Sequence, residues 1–432
     1  MSSDELIDWS AAAATARRLA RPGPAVSARQ AAAAVAELRD RARLAQSHVR
    51  EFTGLDVAGP DSPVLVIDRG GWINANLGAV RTLSAPLAEK VRQWREAVEP
   101  GGLRSAAESA GAKLTGLELG TALAYLSQRV LGQFDPFGPA EPADRAEGVN
   151  GAGPGSADPS SADPRSADPN GADPTSADPN SADPHGAEPS GAGRRAPGRL
   201  LLVAPNIVQV ERELGLDPGD FRLWVCLHEE THRVQFGAVP WLRDHMLGEI
   251  GTLVAELDVE PSAFAERLRA AVRSALSPAS RNAGVPADRV GDGGGAVPSG
   301  AKTSLLDVVR TPEQRAVFDR LTAVMTLLEG HASYVMDGVG PRVVPSVAEI
   351  SREFGRRRAR IRPGPEALLR KVLGIDAKMR QYREGERFVE AVVGQAGMDG
   401  FNRVWTSPNT LPTQAEIGDP GAWIRRVAAR RA

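Results

Sequence analysis

One short segment, His228-Glu229-Glu230-Thr231-His232, has the residue types and the spacing of metal-dependent hydrolysis. Residues four apart lie on the same face of a helix, so His228 and His232 can direct two imidazole nitrogens at one metal ion. Glu229 lies about 100° around the helix axis from His228 and can reach a water on that metal without being a ligand itself. The spacing H-E-x-x-H therefore predicts a zinc-binding helix with Glu229 as the general base.

The residues around this segment favour a buried helix. Asp217 and Asp220 are both N-cap candidates, and Pro218 suits the first helical turn. Apolar residues then occupy most of the helical circumference, which is typical of a helix inside a protein core. Unpaired polar groups in such a helix cost roughly 2–7 kcal/mol each, and a metal ion would be the partner they need. The alternative is two ordinary histidines on a core helix that binds no metal.

A catalytic zinc ion usually takes three protein ligands, so a third ligand is expected from another part of the chain. The longer pattern H-E-x-x-H-x-x-G-x-x-H does not fit, because Gln235 and Ala238 occupy the positions of its glycine and its third histidine. The remaining candidates are His245, Glu249 and Glu329. The first two belong to the helix predicted directly after the motif, where ordinary surface positions are expected.

Glu329 lies in a second helical pattern, which begins with Thr311 as N-cap and Gln314 as its capping-box partner. Apolar residues recur in this pattern at helical spacing and form one stripe: Val317, Phe318, Leu321, Val324, Met325, Leu328, Ala332 and Val335. Glu329 and His331 fall just beyond opposite edges of the stripe, so periodicity alone does not choose between them. A carboxylate beside core positions must be compensated, and the small Gly330 allows another helix to approach closely.

The composition bounds the class of protein. The chain has 432 residues, of which 42% are hydrophobic and 25% charged, and its net charge of −2 indicates neither a nucleic-acid partner nor a membrane-surface partner. The sequence contains no run of 18 apolar residues, so we predict no membrane span. Cys226 is the one cysteine and lies in an apolar helix, so we interpret it as a buried, unreactive thiol. The first residues lack the pattern of a signal peptide, so we expect a cytoplasmic protein.

Helical patterns dominate the chain, and short aliphatic runs at residues 64–67 and 199–204 predict strands. We therefore predict a mainly α fold with a small β component. Two parts of the chain, residues 1–137 and 199–432, are expected to build the catalytic unit. The second part carries the predicted metal helix.

Two segments are predicted to lack regular structure. From Pro154 to Pro189 an acidic residue followed by proline recurs every five positions, which prevents helix and sheet, and large apolar residues are absent from the repeats. We predict that 138–198 is a disordered insertion. Residues 278–302 are rich in Pro, Gly and Ser and are predicted to form a flexible loop.

The segments His-Glu-Glu-Thr-His-Arg-Val-Gln-Phe at 228–236 and Leu-Leu-Glu-Gly-His-Ala at 327–332 resemble a bacterial family of zincin-like metallopeptidases, described as zinc-dependent hydrolases. One branch of that family is named for an association with the biosynthesis of a deazaflavin coenzyme. The resemblance extends from Trp9 to the loop at 405–412 and leaves out the acidic-proline repeats. It implies a zincin-like helical metallopeptidase fold.

The same resemblance implies specific site residues. It makes His228 and His232 zinc ligands and Glu229 the base, and it favours Glu329 as the third ligand, which is the gluzincin arrangement. Zn²⁺ is then the expected cofactor.

The expected chemistry is attack of a metal-activated water on a peptide or amide carbonyl, with Glu229 carrying the proton to the leaving amine. His331 or Tyr334 can stabilise the oxyanion, or each can serve only in packing. Two other functions stay open: a zinc-stabilised scaffold or binding protein without turnover, and a non-peptide amidohydrolase. Specificity pockets have no short sequence signature, so the sequence does not identify the substrate.

Overall fold

The computed structural model describes residues 6–57, 62–96, 102–138, 198–256, 311–359 and 375–428. These residues belong to one compact unit, which is formed by Met1–Pro139 and Pro197–Ala432. The acidic-proline repeats and the loop predicted at 278–302 lie outside the described residues, as does a second unit at Ala140–Ala196.

Helices form most of the described structure, so the prediction of a mainly α fold is confirmed. The helices are Trp9–Leu19 (α1), Ala28–Thr53 (α2), Arg69–Glu96 (α3), Gly102–Ser127 (α4), Ala204–Leu214 (α5), Pro218–Ala238 (α6), Pro240–Ala255 (α7), Pro312–Gly338 (α8), Val347–Ala359 (α9) and Ile375–Asn402 (α10). Short helical turns follow at Arg403–Trp405, Pro408–Thr410, Gln414–Gly418, Pro420–Trp423 and Ile424–Ala428. Across the described residues, every helix is too short or too polar to cross a membrane.

A three-stranded sheet joins the two parts of the chain. Strand β1 (Val64–Ile67) pairs in parallel with β3 (Arg199–Val203), and β3 pairs antiparallel with β2 (Gly132–Asp135). The strand order is β1-β3-β2, so β3 is central and all of its residues are buried. Aliphatic runs in the sequence predict β1 and β3, whereas no such run marks β2.

Helix α3 continues through an internal proline. It runs as one helix from Arg69 to Glu96 and includes Pro86. Proline lacks an N–H, so the carbonyl of residue 82 loses its usual helical partner. Residues 82 and 86 are both exposed, and water can satisfy that carbonyl, so the helix continues.

Two apolar cores meet along α6 and α8. The first core joins α2, α5, α6 and the sheet, and the second joins α7, α8, α10 and the C-terminal turns. Helix α8 contributes to both, with Leu327 and Leu328 in the second core and Val335 and Met336 in the first. The segment of α8 that contains Glu329 therefore lies at the junction of the two cores.

Two residues of the predicted apolar stripe on α8 are exposed. Phe318 is 41% exposed and Met325 is 37% exposed. Helical periodicity shows which residues share a face, but it does not show how much of that face neighbouring helices will cover. The apolar arc of α8 is wider than the arc that the neighbouring helices bury.

Helices α8 and α10 approach each other through a pair of glycines. A Cβ atom on Gly330 would lie 2.1 Å from the carbonyl carbon of Gly385, and a Cβ atom on Gly385 would lie 2.0 Å from the carbonyl oxygen of Thr326. Both separations are far below van der Waals contact, so no larger residue fits at this crossing. The expectation that Gly330 permits a close helix approach is confirmed, and the crossing lies directly beside Glu329.

We predict that Gly385→Ala destabilises the protein by about 1–3 kcal/mol, because an added methyl group forces the two backbones apart. Gly394→Ala is the matched control on the same helix, since a Cβ atom there meets nothing within 4 Å. The control should be neutral or stabilising by up to about 1 kcal/mol. Denaturant unfolding of the two variants measures the difference, and equal free energies of unfolding would contradict the close crossing.

Candidate metal centre

Helix α6 holds His228, Glu229 and His232 in the core. Its N-terminus is capped by Asp217, whose side chain accepts a hydrogen bond from the backbone N–H of Asp220 at 2.9 Å. The cap fixes where the helix begins, and burial of most of its circumference fixes how it is rotated. Together they determine where the three polar side chains point.

Three side chains converge between α6 and α8. The Nε2 atoms of His228 and His232 lie 3.4 and 3.5 Å from Oε2 of Glu329. The ligand atoms of all three residues lie within 4.8 Å of one another, which no other group of three metal-ligating side chains achieves in the described ranges. Two imidazole nitrogens and one carboxylate oxygen form a donor set that suits zinc. The structure therefore brings together the three residues that the sequence analysis named as ligands.

The other two candidates for the third ligand lie apart from this group. The carboxylate of Glu249 accepts hydrogen bonds from the guanidinium of Arg320, with Nε at 3.0 Å and Nη2 at 2.7 Å. The ring of His245 packs edge-on against Trp241, with 5.9 Å between centroids. Among the residues that the structure describes, neither side chain belongs to the converging group. The geometry therefore favours Glu329.

Glu229 lies against strand β2, and its charge acts on the nearby ring of His232. A Cβ atom on Gly132 of β2 would lie 2.5 Å from Cγ of Glu229 and 2.9 Å from its Oε1. The Glu229 side chain is only 7% exposed, so it has little space to move elsewhere. Because Gly132 has no side chain, the carboxylate of Glu229 can occupy this space.

Protonation of His232 depends on the carboxylates around it. Burial lowers the pKa of His232. The hydrogen bond and charge of Glu329, together with the charge of Glu229, raise this pKa by more than burial lowers it, so the net shift is upward. Zinc binds the neutral imidazole, so protons compete with the metal at His232. Acidification should therefore weaken metal binding at this site.

His331, one of the two predicted oxyanion stabilisers, is fully buried. Its Nδ1 atom lies 2.9 Å from Nε2 of Gln235. Burial, and then the nearby charge of His232, lowers the pKa of His331 to about 3, so the ring is neutral. These contacts favour a hydrogen-bonding role inside the core over a role at the oxyanion.

Tyr334, the other predicted stabiliser, lies on a different side of α8. It is five residues after Glu329, which places it about 140° around the helix axis. Its ring lies 6.0 Å from the ring of Phe52, and burial and the charge of Glu390 raise its pKa. The structure therefore does not bring Tyr334 towards the three converging side chains.

Gln235 is a site residue that the sequence analysis missed. Its Oε1 atom lies 2.9 Å from Nδ1 of His232, and its Nε2 atom donates to the carbonyl of Leu328 at 3.1 Å. The side chain is fully buried. In the sequence, position 235 stands out only as a departure from a longer histidine pattern. The available signal was its spacing, because a residue three positions after His232 faces the same side of the helix.

Comparisons with known proteins identify a family and a related structure. A family model described as zincin-like metallopeptidase matches residues 7–152 and 176–424. A solved structure from Chloroflexus aurantiacus, described as "a putative hydrolase with a novel fold", is 27% identical to this chain with a TM-score of 0.58. That match covers 99% of this chain and 100% of the other. No curated protein matches the chain.

We predict that the protein binds one zinc ion per chain and that His228→Ala, His232→Ala and Glu329→Gln each weaken this binding strongly. Loss of one of the three ligands should lower zinc affinity by more than the roughly 10–100-fold that is typical when a residue hydrogen-bonded to a ligand is replaced. Competition with a chromogenic chelator gives the affinities, and elemental analysis gives the stoichiometry.

His245→Ala and Glu249→Gln are the matched controls and should bind zinc like the wild type. Stoichiometric zinc in all three ligand variants would place the metal elsewhere in the chain. Weak binding in a control, combined with normal binding in Glu329→Gln, would move the third ligand to α7.

Proposed function

The chain belongs to the zincin-like metallopeptidase family, and we propose that it is a zinc-dependent hydrolase that cleaves peptide or amide bonds. The observation that carries the proposal is the convergence of His228, His232 and Glu329 beside Glu229. Catalytic zinc sites use three protein ligands and keep one position open for water. The described site has three ligands and an adjacent carboxylate, which is the set that hydrolysis requires.

His228, His232 and Glu329 would hold the ion. When bound, zinc lowers the pKa of a coordinated water to about 7 and polarises a carbonyl group. Glu329 would contribute one negative charge and the two imidazoles none, so these three ligands would leave a dipositive ion with a net positive charge. That charge would favour the oxyanion that develops when a carbonyl is attacked.

Glu229 moves the proton. Its carboxylate accepts a proton from the attacking water and then donates it to the leaving amine. A carbon–oxygen bond forms, the carbon–nitrogen bond breaks, and the proton passes from the water to the amine, so no other reactant is consumed.

Strand β2 supports an extended peptide as the substrate. In the described part of the chain, β2 pairs with β3 alone and is an edge strand. The backbone N–H of Val203 donates to the carbonyl of Leu131 at 2.8 Å. Hydrogen-bonded pairs alternate in an antiparallel ladder, so the N–H and C=O groups of Gly132 and Phe134 point away from β3. An extended peptide can pair with these groups, and Gly132 would then bring it beside Glu229.

We predict that Glu229→Gln keeps stoichiometric zinc and loses hydrolysis by roughly 10²–10⁴-fold, the usual contribution of a general base. Digestion of a peptide library by the zinc-loaded protein, read by mass spectrometry, gives the activity. Gly132→Ala should also reduce hydrolysis with zinc retained, because the new methyl group occupies the space of the Glu229 side chain. Gly248→Ala is its control, since a Cβ atom there meets nothing within 4 Å.

Three results would contradict the proposal in different ways. Full activity in Glu229→Gln would remove Glu229 as the base. Cleavage of small amides but of no peptide would indicate a non-peptide amidohydrolase. A zinc-loaded wild type that cleaves neither class of substrate would indicate a zinc-stabilised scaffold.

A further inference from the structure

A buried hydrogen-bonded relay connects α6 and α8 behind the three converging side chains. Gln235 is at its centre, with Oε1 at 2.9 Å from Nδ1 of His232. On the other side, Nε2 of Gln235 lies 3.1 Å from the carbonyl oxygen of Leu328 and 2.9 Å from Nδ1 of His331. Gln235 and His331 are both fully buried, so water does not compete for these bonds.

The chemistry of the amide fixes its orientation. A glutamine side chain has two N–H donors on nitrogen and an acceptor on oxygen, whereas a backbone carbonyl can only accept. The nitrogen of Gln235 must therefore face Leu328, because the flipped amide would place two acceptors against each other. With the nitrogen so placed, the oxygen of Gln235 faces His232.

The orientation of Gln235 in turn fixes both histidine tautomers. Nδ1 of His232 faces an acceptor and must carry a proton, so Nε2, the atom that faces Glu329, is the nitrogen left to bind a metal. Nδ1 of His331 faces the second N–H of Gln235 and must accept, so its proton lies on Nε2. The ring of His331 is held by Phe401 and Trp405, at centroid distances of 5.0 and 5.7 Å.

We infer that Gln235 is a positioning residue that sets the tautomer and ring direction of His232 before zinc binds, and that His331 acts by holding Gln235. The inference rests on the proposed function only in taking zinc as the ion at His228, His232 and Glu329. It gives His331 a role in the site that involves no contact with the substrate.

The two histidine ligands are held unequally. Nδ1 of His228 lies 3.2 Å from Sδ of Met336, and a thioether is only a weak acceptor. The contact at Nδ1 of His228 should therefore contribute less to zinc affinity than the contact at Nδ1 of His232. The test variant is Gln235→Met, which replaces the amide by an unbranched apolar side chain of similar length. Met336→Leu is its matched control, because it conserves the volume of the side chain.

The first test is zinc affinity, measured by chelator competition on the full chain. Gln235→Met should weaken zinc binding by roughly 10–100-fold, whereas Met336→Leu should change it by less than about threefold. His331→Phe should weaken binding in the same direction as Gln235→Met. Because His331 acts through Gln235, the double variant should bind zinc as the Gln235→Met single variant does. Wild-type affinity in Gln235→Met, or effects that multiply in the double variant, would overturn the inference.

The second test uses the metal-free protein, so it stands even if zinc binding fails. Nitrogen-15 NMR of the histidine rings should show His232 protonated on Nδ1 and His331 protonated on Nε2 in the wild type. Gln235→Met leaves Glu329 as the acceptor beside His232, so the proton should move from Nδ1 to Nε2 of that ring. An unchanged His232 tautomer in Gln235→Met would overturn the inference, whatever the wild type does with zinc.

Discussion

A buried carboxylate between two imidazoles is the constraint on which the rest of this structure depends. Glu329 lies 3.4 and 3.5 Å from the ring nitrogens of His228 and His232, where two apolar cores meet. Buried polar groups of this kind cost several kcal/mol unless they face a partner. Helices α6 and α8 can therefore cross here only with their polar groups aligned. The Gly330–Gly385 contact allows α10 to pack closely against α8, and the absence of a side chain at Gly132 leaves space for Glu229 on α6.

The parts of the site that depend on local pattern could be predicted from the sequence. The pair His228 and His232 follows from helical spacing alone, and the caps at Asp217 and Thr311 mark where α6 and α8 begin. Periodicity could not choose between Glu329 and His331, since both lie at edges of the apolar stripe. The structure buries both of them because α6 presents histidines to one and Gln235 to the other. That difference depends on how two distant helices meet, which no local pattern contains.

Other features were missed for the same physical reason. Strand β2 contains Gly132 and Asp135, which are poor strand formers, and it exists because the central strand β3 offers it a ladder. Gln235 appears in the sequence as an ordinary polar residue on a core helix, and only the carbonyl of Leu328 and the ring of His331 give it a role. Long-range partners thus decide the elements that complete the site, while local pattern decides the helix that carries it.

Zinc binding between α6 and α8 is tested most directly by a crystal structure of the zinc-loaded protein, with anomalous diffraction data collected at the zinc absorption edge. We expect a single strong anomalous peak per chain, at about 2.0–2.2 Å from Nε2 of His228, Nε2 of His232 and a carboxylate oxygen of Glu329. Glu229 should lie beside the peak without coordinating it. A peak that involves Glu249 or His245, or zinc bound away from α6 and α8, would contradict the proposed metal centre.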